Sequence, residues 1–266
     1  MRGRAFRVQD DGKVRRERRN DLPNPAQGRR LVVGPGDDPT PGVEDLNRIG
    51  ASRDLQLLVE AREDLVAEMT RVRNRLHADL LVLLPGHHGS LVGPRALARL
   101  AHQLRRAPGL QAELARDRLR ALRRLAVEVD RLETRIVERV AGHRLLAVPG
   151  IGPLTAAQLL GEIGDVRRFR DDNAFAAFSG VAPIPASSGQ VQRMRLNRGG
   201  NRQLNRALHL VALIQLRHHP PAQAFVARKR GEGKSQREAM RCLKRHLARV
   251  VYRVLERGAE PLTAVA

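Results

Sequence analysis

Two stretches of this chain carry aliphatic residues at spacings of three and four over far more turns than an ordinary globular helix contains. Leu55, Leu58, Leu65, Met69, Val72, Leu76, Leu80 and Leu83 form the first stripe, with one heptad position, Arg62, missed. Leu122, Leu125, Val129, Leu132, Ile136 and Val140 form the second. Such spacing gathers the apolar side chains on one face of an α-helix. The first helix is expected from about Ser52 to the Pro85-Gly86 pair, which cannot continue it. After the loop His87–Ser90 and a short helix near 94–105, the second runs from about Ala112 to Gly142. Two helices of matching length, each with a seam near 3.5 residues, predict an antiparallel coiled-coil hairpin. A plain helical core explains the stripes equally well, and a stripe this long also suits pairing with a second copy, so a homo-oligomer built through the coiled coil is expected.

The flanks differ. Residues 1 to about 50 have no sustained period and are dense in Arg, Asp, Gly and Pro, a composition that reads as a disordered arm. Leu31, Val32 and Val33 are a strand candidate without a partner. Residues 145–258 read as a second unit with short helices at 145–148, 153–162, 173–179, 199–218, 221–231 and 235–257, and irregular chain at 180–198. The expected fold class is therefore all-α: an arm (1–50), a helical hairpin (52–142) and a compact helical domain (145–258).

The 266 residues leave room for roughly two compact units. A formal net charge of +21 points to a polyanionic partner, DNA foremost. Only four of the 49 basic residues are lysines, Lys13, Lys229, Lys234 and Lys244. The planar guanidinium fork suits phosphate, although a GC-rich genome favours arginine for its own reasons. No apolar run approaches bilayer length and the N-terminus has no hydrophobic leader, so a cytoplasmic protein without membrane contact is expected. One tyrosine, five phenylalanines and no tryptophan argue against a base-stacking platform. The single cysteine, Cys242, excludes an intrachain disulfide and a cysteine zinc site, and its neighbours make it a small helical core residue. The pairs His87-His88 and His218-His219 read as solvated loop residues, and no metal site is expected.

Two motifs carry chemistry. Pro149-Gly150-Ile151-Gly152-Pro153, between two apolar helical segments, has the layout of a helix–hairpin–helix. Its glycines let the backbone approach a surface, and the uncapped amides that open the next helix favour an anion. Gly150, Ile151 and Gly152 are thus candidates for DNA-backbone contact, with a merely structural turn as the alternative. The second motif lies in a window from 173 to 231 that contains no acidic residue. Ser187 and Ser188 sit between Pro183/Pro185 and Gly189, followed by Arg193, Arg195, Arg198, Asn201 and Arg202. A serine hydroxyl attacks a phosphodiester when its proton is removed and the developing charge is held, and these arginines supply the holding groups. No general base is evident nearby. On the residues alone, a serine that caps or turns the chain is the commoner arrangement.

The combination Phe178-Ser-Gly-Val-Ala-Pro183, Ser187-Ser188-Gly189 and Leu196-Asn-Arg-Gly-Gly-Asn-Arg-Gln-Leu-Asn-Arg-Ala-Leu208 resembles the C-terminal domain of one class of bacterial insertion-sequence transposases. These have an N-terminal RuvC-like DEDD domain and a C-terminal serine domain, and are related to the Piv-type DNA invertases. The resemblance extends through the Leu145–Pro153 turn and the helix from Arg53 to Glu68, covering roughly 52–258. It implies that a serine becomes covalently joined to DNA, which here is Ser188, with Ser187 the second candidate. It further implies Mg²⁺ held by the acidic domain, DNA as substrate, and an element-encoded guide RNA that pairs with donor and target.

The resemblance fails upstream. A DEDD domain needs a ribonuclease-H-like sheet, and the 50 or so residues before the first helix offer neither strands nor an acidic motif. Asp37, Asp38, Glu44 and Asp45 have no scaffold to converge them, so no cofactor is expected in this chain itself. The expectation is a truncated transposase copy, inactive alone. The alternatives are a non-catalytic DNA- or RNA-binding remnant or accessory subunit, and, more remotely, a helix–hairpin–helix repair protein.

Overall fold

A computed structural model describes residues 43–185, 194–195, 197 and 199–259, so the readings for the arm upstream of 43 and for Ser187, Ser188, Arg193 and Arg198 lie outside the described residues. These residues are helical throughout, apart from connecting turns and one two-residue strand pair. The all-α expectation holds at that level.

The first helix, α1, spans Val43–Leu83. It starts nine residues before the expected Ser52, inside the stretch read as disordered. Gly50 is accommodated within it. At 1.5 Å per residue α1 is about 60 Å long. α2 spans Pro94–Leu104 and α3 spans Leu110–Val140. α1 and α3 pack antiparallel: Leu55 and Leu58 meet Ile136 and Val140 at one end, while Leu76 and Leu80 meet Leu119 and Leu122 at the other. The position missed by the first stripe has a partner. Arg62 donates to Glu133 across the seam, with Nη2 at 2.6 Å and Nε at 2.7 Å from Oε1. Arg118 and Asp79 form a second cross-seam pair.

The short α2 is more than a connector. Leu97, Leu100 and Leu104 are buried in the same cluster as Val72, Leu76, Leu80 and Leu119, so the distal end of the pair is three helices thick. Arginines of α3 satisfy carbonyls along and beyond α2: Arg116 Nη1 donates to Leu104 O and Ala107 O, both at 2.9 Å, and Arg123 Nη2 to Leu97 O at 2.7 Å. Carbonyls left open at a helix end need partners of this kind.

A 3₁₀ turn at Arg144–Ala147 leads to α4 (Pro153–Ile163), a second 3₁₀ turn at Val166–Arg168, α5 (Asp172–Phe178), α6 (Arg202–His218), α7 (Pro220–Gly231) and α8 (Gln236–Ala259). Between α5 and α6, Ile184–Pro185 (β1) pairs antiparallel with Met194–Arg195 (β2), in a stretch expected to be wholly irregular. α6 starts three residues later than expected because Asn201 caps it and leaves Gly199 and Gly200 outside. The core of this unit joins Leu145, Leu159, Ile163, Phe175, Leu204, Leu208, Leu247 and Val251. Phe169, Phe175, Phe178 and Tyr252 form one aromatic cluster with centroids 5.1–5.9 Å apart, so these rings are core groups rather than a stacking surface.

α4 is held against α1 by a backbone contact. A Cβ on Gly161 would lie 2.9 Å from both the Cα and the N of Gln56. Gly50, on α1, has nothing within 4 Å of its would-be Cβ. Gly161→Ala is therefore expected to cost about 1–3 kcal/mol by overpacking, whereas Gly50→Ala is expected to stabilise by about 0.5–1 kcal/mol through helix propensity. Chemical denaturation of the two variants beside the parent protein measures both signs.

Candidate functional site

The described residues on the two sides of the candidate serines, after α5 and before α6, meet at one point. Gly180, with φ of 68°, lies directly against Gly200: a Cβ on Gly200 would stand 2.3 Å from the N and Cα of Gly180. Backbone excludes a side chain at Gly200, while at Gly180 the positive φ and the Asn205 amide, 3.0 Å from the would-be Cβ, disfavour one. Around this contact Asn201 N donates to Phe178 O at 2.6 Å, and Asn197 Nδ2 to Ala177 O at 3.0 Å. The Asn205 carboxamide, one turn into α6, donates to Gly180 O at 2.8 Å and Ser179 O at 3.3 Å. Its Oδ1 accepts from the Lys244 ammonium of α8 at 2.6 Å. Together these form a stem below the serine segment. Ser179 itself is fully buried and donates its hydroxyl to Phe175 O at 2.8 Å, a local helix-end bond.

Of the residues expected to bind nucleic acid on this side, Arg195 lies in β2 and Arg202 is exposed at the first position of α6. Asn201 is engaged within the protein: Oδ1 accepts from Leu204 N at 2.9 Å as a helix cap, and Nδ2 donates to Glu162 at 2.6 Å. A stacked arginine escaped the sequence reading. The Arg168 guanidinium sits 4.7 Å and 4.5 Å from the ring centroids of Phe169 and Phe178 and donates to Glu162 O at 3.3 Å. Burial lowers its pKa, opposed by Asp165 and Glu162. An arginine with one face on aromatic rings retains in-plane donors for a phosphate. The sequence signal was Arg167-Arg168-Phe169-Arg170, an arginine beside an aromatic, but nothing in the sequence linked it to Phe178.

The Pro149–Pro153 turn divides its two glycines between two tasks. Gly150 has φ of 84°, and its would-be Cβ lies 3.3 Å from Val211 O and from the Gln215 side chain. Gln215 Nε2 donates to Pro149 O at 2.6 Å, and Ile151 is buried. Those residues fasten the turn to α6. Gly152 is exposed, has nothing within 4 Å of its would-be Cβ, and caps α4 without a side chain. Gly152 is the open position. Because α4 runs from Gln215 of α6 back to Asn201, the turn and the stem lie apart, separated by about 15–20 Å along α6 at 1.5 Å per residue. Gly152 and Arg202 are thus two separate exposed positions.

Among the described residues no group of three or more His, Cys, Asp or Glu side chains could hold a metal ion. No described helix is long and apolar enough to cross a membrane.

Comparison with known proteins matches residues 142–227 to the family described as Transposase IS116/IS110/IS902. Over these residues the chain is similar to that family. They contain the Gly150–Gly152 turn, the stem and the serine segment. The chain is 29% identical to the "insertion element IS900 uncharacterized 42 kDa protein" of Mycobacterium paratuberculosis, over 80% of this chain and 67% of that protein. It is 30% identical to the "insertion element IS110 uncharacterized 43.6 kDa protein" of Streptomyces coelicolor, over 77% of this chain and 63% of that one. A "pilin gene-inverting protein" of Moraxella bovis is 31% identical over 43% of this chain and 36% of its own length. The chain therefore spans about two thirds or less of these relatives.

The glycine–glycine contact makes a defined demand of the helices around it. Gly200→Ala is expected to lose about 1–3 kcal/mol, because backbone has to move to admit the methyl group. It should also release the Asn201 amide to hydrogen exchange well before amides in the middle of α6. Residue-resolved exchange on the variant reads this.

Proposed function

We propose that this chain is a DNA-rearranging protein of the transposase kind, whose helical domain binds DNA through the backbone and presents Ser188 as nucleophile. The observation that carries the reading is the stem. In a domain of transposase family type, backbone contact at Gly180 and Gly200 returns both ends of the serine segment to one fixed place beside Arg168 and Arg202. A nucleophile held this way meets a phosphodiester without a large ordering cost at the moment of reaction.

In the proposed step the Ser188 Oγ–P bond forms as one P–O bond to a sugar breaks. The proton lost by the serine ends on the departing sugar oxygen, and the reverse step on another strand end restores the serine. The number of phosphodiester links is conserved, so no energy donor is required. The arginines Arg193, Arg195, Arg198 and Arg202 hold the phosphate, with Ser187 as second candidate for the attack. The Mg²⁺ implied by the resemblance finds no ligand set among the described residues, and no step here is routed through it.

Gly150–Gly152 acts in this reading as a helix–hairpin–helix, with the opening amides of α4 facing a phosphate. Its distance from Arg202, about 15–20 Å, suits two contacts roughly half a turn of duplex apart, given about 34 Å per turn. The seam of α1 on α3 is read as a coiled coil. Val127 and Val137, which are 70% and 45% exposed, offer the surface through which copies associate. A guide RNA is the second polyanion that the net charge suits, and the cytoplasm is the compartment. The competing reading is a non-catalytic nucleic-acid-binding protein, which the net charge of +21 suits equally.

A nicked or suicide DNA substrate separates the two readings. A covalent protein–DNA adduct, retained in Ser187→Ala and lost in Ser188→Ala, is expected; DNA binding without any adduct would select the competing reading. Gly152→Asp tests the turn. Aspartate is a good helix cap and suits the positive end of α4, so stability should stay level or rise. Its charge opposes phosphate, and DNA affinity should fall about tenfold in an electrophoretic mobility assay at fixed salt.

A further inference from the structure

Lys244 is an anomaly in this chain. Arginine supplies all but four of the 49 basic residues, yet the cation buried in the helical core, 7% exposed, is a lysine. Among the described residues no carboxylate pairs with it, and its hydrogen bond goes to Asn205 Oδ1 at 2.6 Å. Burial depresses its pKa first, and the neighbouring Arg241 adds to the effect. A buried ammonium without a counter-ion is costly to keep. Packing alone calls for methionine or leucine on this face of α8.

The ammonium is donor-only, with three N–H groups and no acceptor. The Asn205 carboxamide is ambiguous: its oxygen and NH₂ have nearly the same shape, and either can point toward α8. An ammonium facing it removes the ambiguity, because only the oxygen can accept there. The NH₂ then has to point the other way, toward the carbonyls of Ser179 and Gly180, which are acceptors only. The would-be Cβ of Gly180 lies 3.0 Å from that same Nδ2, so the amide rests directly on the stem backbone. Lysine rather than arginine fits, since a compact point donor meets a single oxygen where a fork would leave donors unmet.

We propose that Lys244 is a positioning residue for the serine segment: through the Asn205 carboxamide it locks the carbonyls of Ser179 and Gly180, and so the orientation in which the segment leaves the domain. This rests on the reading of Ser188 as nucleophile. Lys244 touches neither DNA nor the serine in this role. It acts at the stem, two hydrogen bonds away.

The test uses the full chain carrying Lys244→Met, Asn205→Ala and both together, read three ways. Lys244→Met removes the donor at similar volume and relieves a buried charge, so its melting temperature is expected within about 4 °C of the parent or above it. Hydrogen exchange at the Val181 and Asn201 amides, which bond to Ala176 O and Phe178 O, is expected to speed up at least about tenfold while Leu159 and Leu208 are unchanged. Adduct yield on the suicide substrate should drop by about 10- to 100-fold with DNA affinity retained. The double variant should be no worse than Asn205→Ala alone, as befits one unit. Stem amides that exchange at parental rates in Lys244→Met, or losses that add in the double variant, would overturn the proposal. So would a normal adduct yield beside a loosened stem. If the parent protein gives no adduct while the stem responds as expected, the reading of Ser188 fails and the lock itself survives.

Discussion

Where α1 crosses α4 the two backbones touch without a side chain between them. That contact, Gly161 on Gln56, fixes the depth at which the long helical pair meets the helices that follow it. Its consequences run along α4 in both directions. Toward the N-terminus, Leu154 and Ala157 join Leu55, Leu58, Ile136 and Val140 in one apolar cluster, which sets the start of α4 and the turn before it. Toward the C-terminus, Glu162 is placed to hold Asn201, the cap of α6. Glu63 of α1 reaches Arg206 and Gln203 of α6 across the same crossing. A larger residue at 161 would push α1 outward and loosen all three relations at once, because the interior is close-packed and transmits the displacement.

The electrostatics follow a similar division. Carboxylates outside the acid-free window are used to tie helices together: Glu133 and Asp79 across the α1–α3 seam, Glu63 to α6, and Asp172 to Arg249 at 2.5 Å. Several of these pairs are partly shielded, which makes them more useful for register than for net stability. The window contains none, so arginines there have no nearby acid in sequence to pair with. Arg206, inside the window, pairs with Glu63 of α1, 143 residues away in sequence.

Much of the architecture was readable from periodicity. The stripes located α3 and the C-terminal end of α1 within a few residues, because burial of a helix face leaves a three-four pattern that no local effect erases. Arg62, which looked like a flaw in the first stripe, is explained only by Glu133, 71 residues away and invisible to a local pattern. The early start of α1 at Val43 was hidden by the Pro- and Gly-rich chain before it. At the site, the Gly199-Gly200-Asn201-Arg202 run was legible as a motif but its meaning was not. The sequence suggested nucleic-acid contact for Asn201 and Arg202; the structure adds that Gly200 is a backbone contact and that Asn201 caps α6. Gly150 and Gly152 look equivalent in sequence and differ in what surrounds them. Asn205 and Lys244 carry no spacing signal at all, since the bond between them joins α6 to α8.

A segment pinned at its neck obeys different rules inside and at the pinch. Closing a loop costs only about 0.6 kcal/mol more for each doubling of its length, so the length of chain between the two glycines bears little on the energy of bringing them together. At the neck there is no such freedom: a methyl group on Gly200 collides with the Gly180 backbone, and Gly180 holds a φ of 68° with its would-be Cβ 3.0 Å from the Asn205 amide. The fold thereby concentrates intolerance at two glycines, where a single substitution is felt by the chain on both sides of the neck.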